Sequence, residues 1–442
     1  MPANDTTLTR LEFDQAGFAN LLERAATEPA WLRELRTSAW QQFEQMAWPN
    51  RRDEEWMRTD IRLFNIKKYH WAPETSVSPD SLPASRLGVG VDLAGRVVTC
   101  DGVTVTSELS ESVQAQGVFF GSLSQALHSH EAILKRHLFQ TAFDSTVDRF
   151  AALHQAMCSG GTVLFVPRNV TVELPVHIQT VLSDGGSDFS HLLILLEEGA
   201  SATVLYESCG TQVDGGGWHN GAMELVVGDR AKLNFVNLQD WGSQTWHFAQ
   251  QKAILGQDAQ LQWTLGALGG KLAKVNQHVE LRGRGAHCQV NGTMFTQDKQ
   301  HLSYHTLQHH MAPQTTSDFL YKTALQDQSH TVWRGMIRVD KAAQRTDGYQ
   351  RNDNLLLSDT CRADSIPGLE IEADDVRCTH GSTSGRVDEE QVFYCLNRGF
   401  TRQEAIRAIV TGFFQQIFDR IELESVREAL GLAIATRVRR YE

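Results

Sequence analysis

The stretch Gln257-Asp258-Ala259-Gln260-Leu261-Gln262-Trp263-Thr264-Leu265 joins a polar turn to a run in which every second residue is apolar. A period of two places Leu261, Trp263 and Leu265 on one face of a strand. The same device, a turn closing on a small residue, stands at Glu198-Gly199-Ala200, Asp229-Arg230-Ala231 and Arg284-Gly285-Ala286. It returns at Asp327-Gln328-Ser329 and at Ser358-Asp359-Thr360-Cys361. A loose repeat of about thirty residues made of strands and turns is the signature of a solenoid, in which each coil buries its apolar face on its neighbours. A closed propeller would need about four strands per repeat, and thirty residues is short for that. The predicted core is therefore a parallel β-helix over residues 161–385.

On either side the period changes. Residues 1–75 read as an N-terminal helical domain: Phe18, Leu21 and Leu22, then Trp31, Leu32, Leu35 and Trp40, recur at helical spacing until Trp48-Pro49-Asn50 breaks the pattern. Residues 76–160 read as a linker plus a mixed α/β segment. Ser and Pro dominate from Pro73 to Pro83, Val97 to Val105 is strand-like, and helical spacing runs from about Leu123 to Met157 before Gly160-Gly161. Residues 386–442 read as a C-terminal helical domain. Thr401 with Glu404 forms a capping box. The helix it opens carries a wide apolar stripe that includes Ile406, Val410, Phe414, Ile417 and Ile421, and Val426, Leu430 and Ile434 continue it. So wide a stripe suggests contact on two sides, with the chain's own core and with a partner. Arg437, Arg439 and Arg440 complement the dipole at a helix end.

Of the 442 residues, 41% are hydrophobic and 21% charged, and the formal net charge is −12, which argues against recognition of nucleic acid phosphates. The seven cysteines are odd in number, scattered and free of CxxC pairs, so a disulfide framework is not expected. Neither an export signal nor a run of eighteen apolar residues is legible, and a reduced cytoplasmic setting is expected. GxxxxGK[ST], HExxH and GxSxG are all absent. Gly215-Gly216-Gly217 has no helix after it and does not read as a dinucleotide loop. A carbohydrate-active β-helix enzyme would need paired carboxylates or basic groups on adjacent coils, which spacing alone does not reveal.

The richest local chemistry is Cys378-Thr379-His380-Gly381. On a strand the thiol of Cys378 and the imidazole of His380 share a face, and both suit iron or zinc. The ordinary alternative is a small buried cysteine beside a hydrogen-bonded histidine. Cys361 occupies a turn position where other repeats carry Ala, and Cys often fills an alanine-sized site. His305, His309 and His310 read mainly as solenoid surface in a β region, with a metal role as the lesser alternative.

Several stretches together resemble the SufB/SufD family of iron–sulfur cluster assembly proteins. They are Gln350-Arg351-Asn352-Asp353-Asn354-Leu355-Leu356-Leu357-Ser358, Ile366-Pro367-Gly368-Leu369-Glu370-Ile371, Ala373-Asp374-Asp375-Val376, Cys378-Thr379-His380-Gly381-Ser382-Thr383 and Phe393-Tyr394-Cys395-Leu396-Asn397-Arg398-Gly399. Weaker similarity runs upstream through Val166-Pro167-Arg168-Asn169-Val170, and Glu55-Trp56-Met57-Arg58-Thr59-Asp60 looks like an N-terminal element of the family. The resemblance implies a right-handed parallel β-helix between two helical domains. It also implies a non-catalytic scaffold that joins SufB at the end of the β-helix, with the ATPase SufC docked on the C-terminal helices. His380-Gly381 resembles the SufD branch, since SufB proteins carry Glu after the histidine. His380 then matches a histidine that faces SufB where a nascent cluster forms, with Cys378 beside it. Cys361 falls where SufB proteins carry an important cysteine, so a SufB-like, sulfur-accepting carrier is the second expectation. The candidate cluster ligands are thus His380, Cys378 and Cys361. No cluster is expected to stay on the isolated chain, which is a possible homodimer. Neither nucleic acid nor membrane is an expected partner.

Overall fold

Ala200, Ala231, Ala259 and Ala286 are fully buried in a computed structural model of the chain, each at the inside of a corner. The residue before each adopts a left-handed backbone: φ is 70° at Gly199, 57° at Arg230, 52° at Asp258 and 73° at Gly285. That conformation swings the chain round the corner, and only a small side chain fits inside it. The structure describes residues 11–71, 77 and 81–438. Most of the Pro73–Pro83 linker, and Arg439 and Arg440, lie outside them.

Backbone N–H groups hydrogen-bond from each corner to the one before: Lys232 to Ala200, Gln260 to Ala231, His287 to Ala259, Thr316 to Ala286, Asp347 to Thr315 and Arg377 to Thr346. The repeat therefore continues through Thr315 and Thr346. Ser329 and Cys361 belong to the opposite corner, where the Arg362 N–H meets the Ser329 carbonyl. The sequence reading placed the two corners in one series because both end on a small residue.

Each coil gives one strand to each of two sheets, and pairing within both is parallel in the solenoid. Inward side chains are apolar through most of the length, from Val176 and Ile178 past Phe235 and Trp263 to Tyr321 and Trp333. The expected parallel β-helix flanked by helices is what the chain forms. The strand read at Val97–Val105 is two strands, Gly95–Cys100 and Val103–Leu109, turned at Asp101-Gly102. Gly95–Cys100 pairs in parallel with Val176–Leu182, so the 76–160 segment supplies a rung of the solenoid.

The two ends differ. At the N-terminal end, antiparallel strands Val103–Leu109 and Phe119–Ser122 cover the edges of the two sheets. At the other end the sheets stop at Arg362–Ile371 and Arg377–Arg386, each paired on one side only among the described residues.

Helices clad the outer faces. The N-terminal group packs Trp40, Trp56 and Phe150 against Trp218, Trp246 and Phe248. At the C-terminus, Arg402–Phe418 and Glu424–Ala435 lay Ile406, Val410, Phe414, Phe418 and Leu430 on Leu205, Leu238, Leu268 and Phe295. The wide stripe thus serves mainly the chain's own solenoid.

Candidate functional site

The last coil ends the molecule with both strand edges bare. Ser365, Pro367, Leu369 and Ile371 stand in register with the inward residues Trp333, Gly335, Ile337 and Val339, so they point into the interior. Among the described residues no further coil covers them, and Leu369 and Ile371 remain 38% and 40% exposed. On the other sheet Cys378, His380, Ser382 and Ser384 align with Gly348, Gln350, Asn352 and Asn354. The two rows are the cross-section of a core left open.

Here the interior turns polar. Buried Asn354 donates to Asn352 Oδ1 at 2.9 Å and to the Ser365 hydroxyl at 3.0 Å, and reaches Ser384 at 3.2 Å. Gln350 crosses to the other sheet and donates to the Gly368 carbonyl at 3.0 Å. Its Oε1 and the Asn352 Nδ2 are buried without a hydrogen-bond partner among the described residues. An end made of amides and hydroxyls costs less to expose than an apolar one and can pair with polar groups brought by a partner. The polar alternation Gln350, Asn352, Asn354 was visible in the sequence, and its meaning as an interior row was missed.

His380 is exposed on the terminal strand. Cys378 is half-buried against Ile337, Val339, Ala343, Ala373 and Val376, and that burial raises its thiol pKa. Cys361 sits at the opposite corner, with its thiol 3.1 Å from the Ser358 carbonyl, and burial raises its pKa as well. Arg386 flanks Cys361. His380 lies six residues before Arg386 on one strand, roughly 20 Å away at about 3.3 Å per residue. The structure therefore brings Cys378 and His380 to one corner of the open end and leaves Cys361 apart. Among the described residues no three His, Cys, Asp or Glu side chains converge as a metal site.

Of the three histidines read as solenoid surface, His305 and His310 are buried instead. His310 is fully buried between the hydroxyls of Thr315 (2.7 Å) and Ser317 (2.8 Å). His305 is covered by the N-terminal turn, with its Nδ1 2.7 Å from Glu55. Burial drives both imidazoles down, to about 3 for His310 and about 4 for His305. Only His309 stays at the rim, 2.8 Å from Asp340. The same turn pairs Glu54 and Glu55 with Arg334, and Arg58 lies 3.7 Å from Asp364 on the penultimate strand.

A second unpartnered surface lies beyond the solenoid. In helix Glu389–Leu396 only Val392 is buried. Phe393 and Tyr394 are 65% and 56% exposed, with Leu396 and Phe400 beside them, and Arg398 stacks 3.4 Å from the Tyr394 ring.

Residues 179–413 match the SufBD core domain of the SUF iron–sulfur cluster assembly system, and residues 19–178 match the SufBD N-terminal region. The chain belongs to the SufBD family. A SufBD-family iron–sulfur cluster assembly protein of Mycobacterium tuberculosis is 36% identical over 296 residues, 65% of this chain and 73% of its own length. Bacillus subtilis SufD is 25% identical over 98% of the chain and 99% of its own length. Bacillus subtilis SufB is 26% identical over 91% and 88%. The similarity to SufB equals that to SufD, so identity alone does not separate the two branches. No helix among the described residues is long and apolar enough to cross a membrane.

Proposed function

We propose that this SufBD-family chain is a SufD-type, non-catalytic scaffold of cytoplasmic iron–sulfur cluster assembly. It pairs with SufB through the bare last coil and with the ATPase SufC through the helix Glu389–Leu396. The observation that carries the reading is the asymmetry of the solenoid: one end capped by antiparallel strands, the other ending in two ten-residue strands whose outer edges are unpaired among the described residues. Unpaired edges of that length invite another sheet, and the inward residues exposed between them require a partner of matching cross-section. A second solenoid of the same family has that cross-section. The nascent cluster is the cargo. His380 and Cys378 supply at most two ligands at this corner, so the partner must supply the rest, and the isolated chain retains no cluster.

The SufD assignment within the family rests on Gly381 after His380. Cys361 favours the SufB-like alternative only by its position. Its placement favours a space-filling role, since its thiol is directed at the carbonyls of Ser358 in its own corner and Leu325 in the coil beneath.

Co-purification tests the proposal. A tagged chain co-expressed with SufB and SufC should hold both, and ATPase activity should follow SufC. Failure to capture SufB in the presence of SufC, or nucleotide hydrolysis by this chain alone, would contradict the assignment.

A further inference from the structure

Residues 48–66 of the N-terminal group fold around a surface cavity of about 730 Å³, a volume typical of binding pockets. Trp48, Ile61, Phe64 and Ile66 supply its apolar lining, and exposed Arg51 and Arg52 bring positive charge to it. Beside it the large apolar side chains of Leu63 and Met57 are 79% and 44% exposed.

Every carboxylate of this segment is already engaged. Asp53 accepts from the Asn50 N–H at 2.8 Å, Glu54 and Glu55 pair with Arg334, and Asp60 is forked by Arg62 at 3.0 and 2.6 Å. Arg52, Lys67 and Lys68, by contrast, are exposed and form no ion pair among the described residues. A chain of net charge −12 thus presents a cationic rim around an apolar pocket. At physiological salt a charge is felt over only about 8 Å, so this rim and not the net charge decides what binds here.

We propose that this surface docks an acidic segment of a partner protein. One apolar side chain of that segment sits against Trp48, Ile61 and Phe64, with Leu63 extending the contact, and its carboxylates meet Arg52, Lys67 and Lys68. A pocketed apolar anchor supplies most of the affinity of such an interface, and the charges around it select the partner. A second copy of this chain would set the same cationic rim against itself in a two-fold pair. Single-stranded nucleic acid stacks on open aromatic faces, whereas Arg149 already lies over Trp48, 4.6 Å from the ring centroid, and the exposed apolar groups are aliphatic. The surface shares no residue with the bare last coil or with helix Glu389–Leu396, so its test is separate from that of the proposed function.

Fluorescence anisotropy on the full-length chain tests the surface, with a fluorescein-labelled peptide of glutamates around one phenylalanine as the probe. The peptide should bind, and several-fold more weakly as salt rises from about 50 to 200 mM. Replacing its phenylalanine by serine should weaken binding about tenfold. Arg52→Glu, Lys67→Glu and Lys68→Glu together should weaken it by about tenfold or more, with circular dichroism reporting the fold. Leu63→Ser should weaken it several-fold. Lys232→Glu, Lys299→Glu and Lys341→Glu, the same change of charge at solenoid corners, should alter it by less than about twofold. No binding by the wild type, equal affinity for the phenylalanine and serine peptides, or wild-type affinity in the folded Arg52, Lys67 and Lys68 variant overturns the proposal. So does an equal loss in the corner variant, or tighter binding of a labelled single-stranded oligonucleotide than of the peptide.

Discussion

Glu55, in the N-terminal turn, lies 2.7 Å from Nδ1 of His305, 250 residues downstream on the outer face of the solenoid. Because burial keeps His305 neutral near pH 7, the contact is an N–H donated to a carboxylate, and Arg334 is the charged partner of Glu55. Beside it, buried Trp56 packs on Phe150 and Phe248. The turn is thus held mostly by an aromatic anchor. Trp56→Ala should destabilise the chain by about 3–5 kcal/mol, and Glu55→Gln by about 1 kcal/mol. Urea unfolding followed by tryptophan fluorescence measures both, and equal costs would contradict this division.

Acid should unfold the protein early. Burial lowers His154, His247, His301 and His310 to about 3, and His278 and His305 to about 4. Each is neutral in the fold but takes up a proton on unfolding below about 6.5. Their contribution is complete above that pH and is lost as pH falls toward 4, by up to about 1.4 kcal/mol per unit for each. Asp188, raised to about 7 by burial, works in the opposite direction: its contribution is lost as pH rises from 3.8 to 7. Burial raises Asp101 and Asp148 in the same sense, and the six histidines outweigh the three aspartates. Stability measured between pH 7 and pH 5 should fall steeply, with net proton uptake on unfolding, and a flat profile would contradict the burial of these rings.

The C-terminal helices divide into a structural and a docking part. Phe414 is fully buried on the solenoid, and Phe414→Ala should cost about 3–5 kcal/mol. Cutting the chain after Gly399 should therefore expose Leu238, Leu268 and Phe295 and damage the solenoid. The double change Phe393→Asp and Tyr394→Asp should leave the melting temperature within a few degrees of wild type while abolishing SufC capture. Retained capture would move the docking surface elsewhere.

The open edges should make the isolated chain self-associate. Leu369 and Ile371 are already partly exposed, so Leu369→Asp with Ile371→Asp should cost little stability. Sedimentation velocity should show the wild type shifting to dimer with concentration and the double variant remaining monomeric. A wild type that stays monomeric at high concentration would show that the edges do not pair with a second copy.

The solenoid was legible because its corners are local. A left-handed residue followed by Ala, then alternation such as Leu261, Trp263 and Leu265, is a short-range signal. Thr315 and Thr346 escaped notice because Thr replaces Ala at those corners. The site was legible only in its residue types. Cys378 and His380 could be paired from strand period, but the buried row Gln350, Asn352 and Asn354 behind them takes its place from register with distant coils, which no spacing encodes. The use of the apolar stripe around Phe414 was legible only in part, for a related reason. A stripe gives the width of a buried face, and the residues opposite it, Leu238 and Phe295, come from distant coils.

The most direct test of the scaffold account is the iron and sulfide content of the co-purified complex with SufB and SufC, compared between wild type and His380→Ala. His380 is an exposed side chain on the terminal strand, and removing it leaves both strand edges and every buried contact in place. The account predicts that the variant complex assembles with unchanged subunit stoichiometry and circular dichroism while its iron and sulfide content falls several-fold. A His380→Ala complex that assembles normally and carries wild-type iron and sulfide would contradict it.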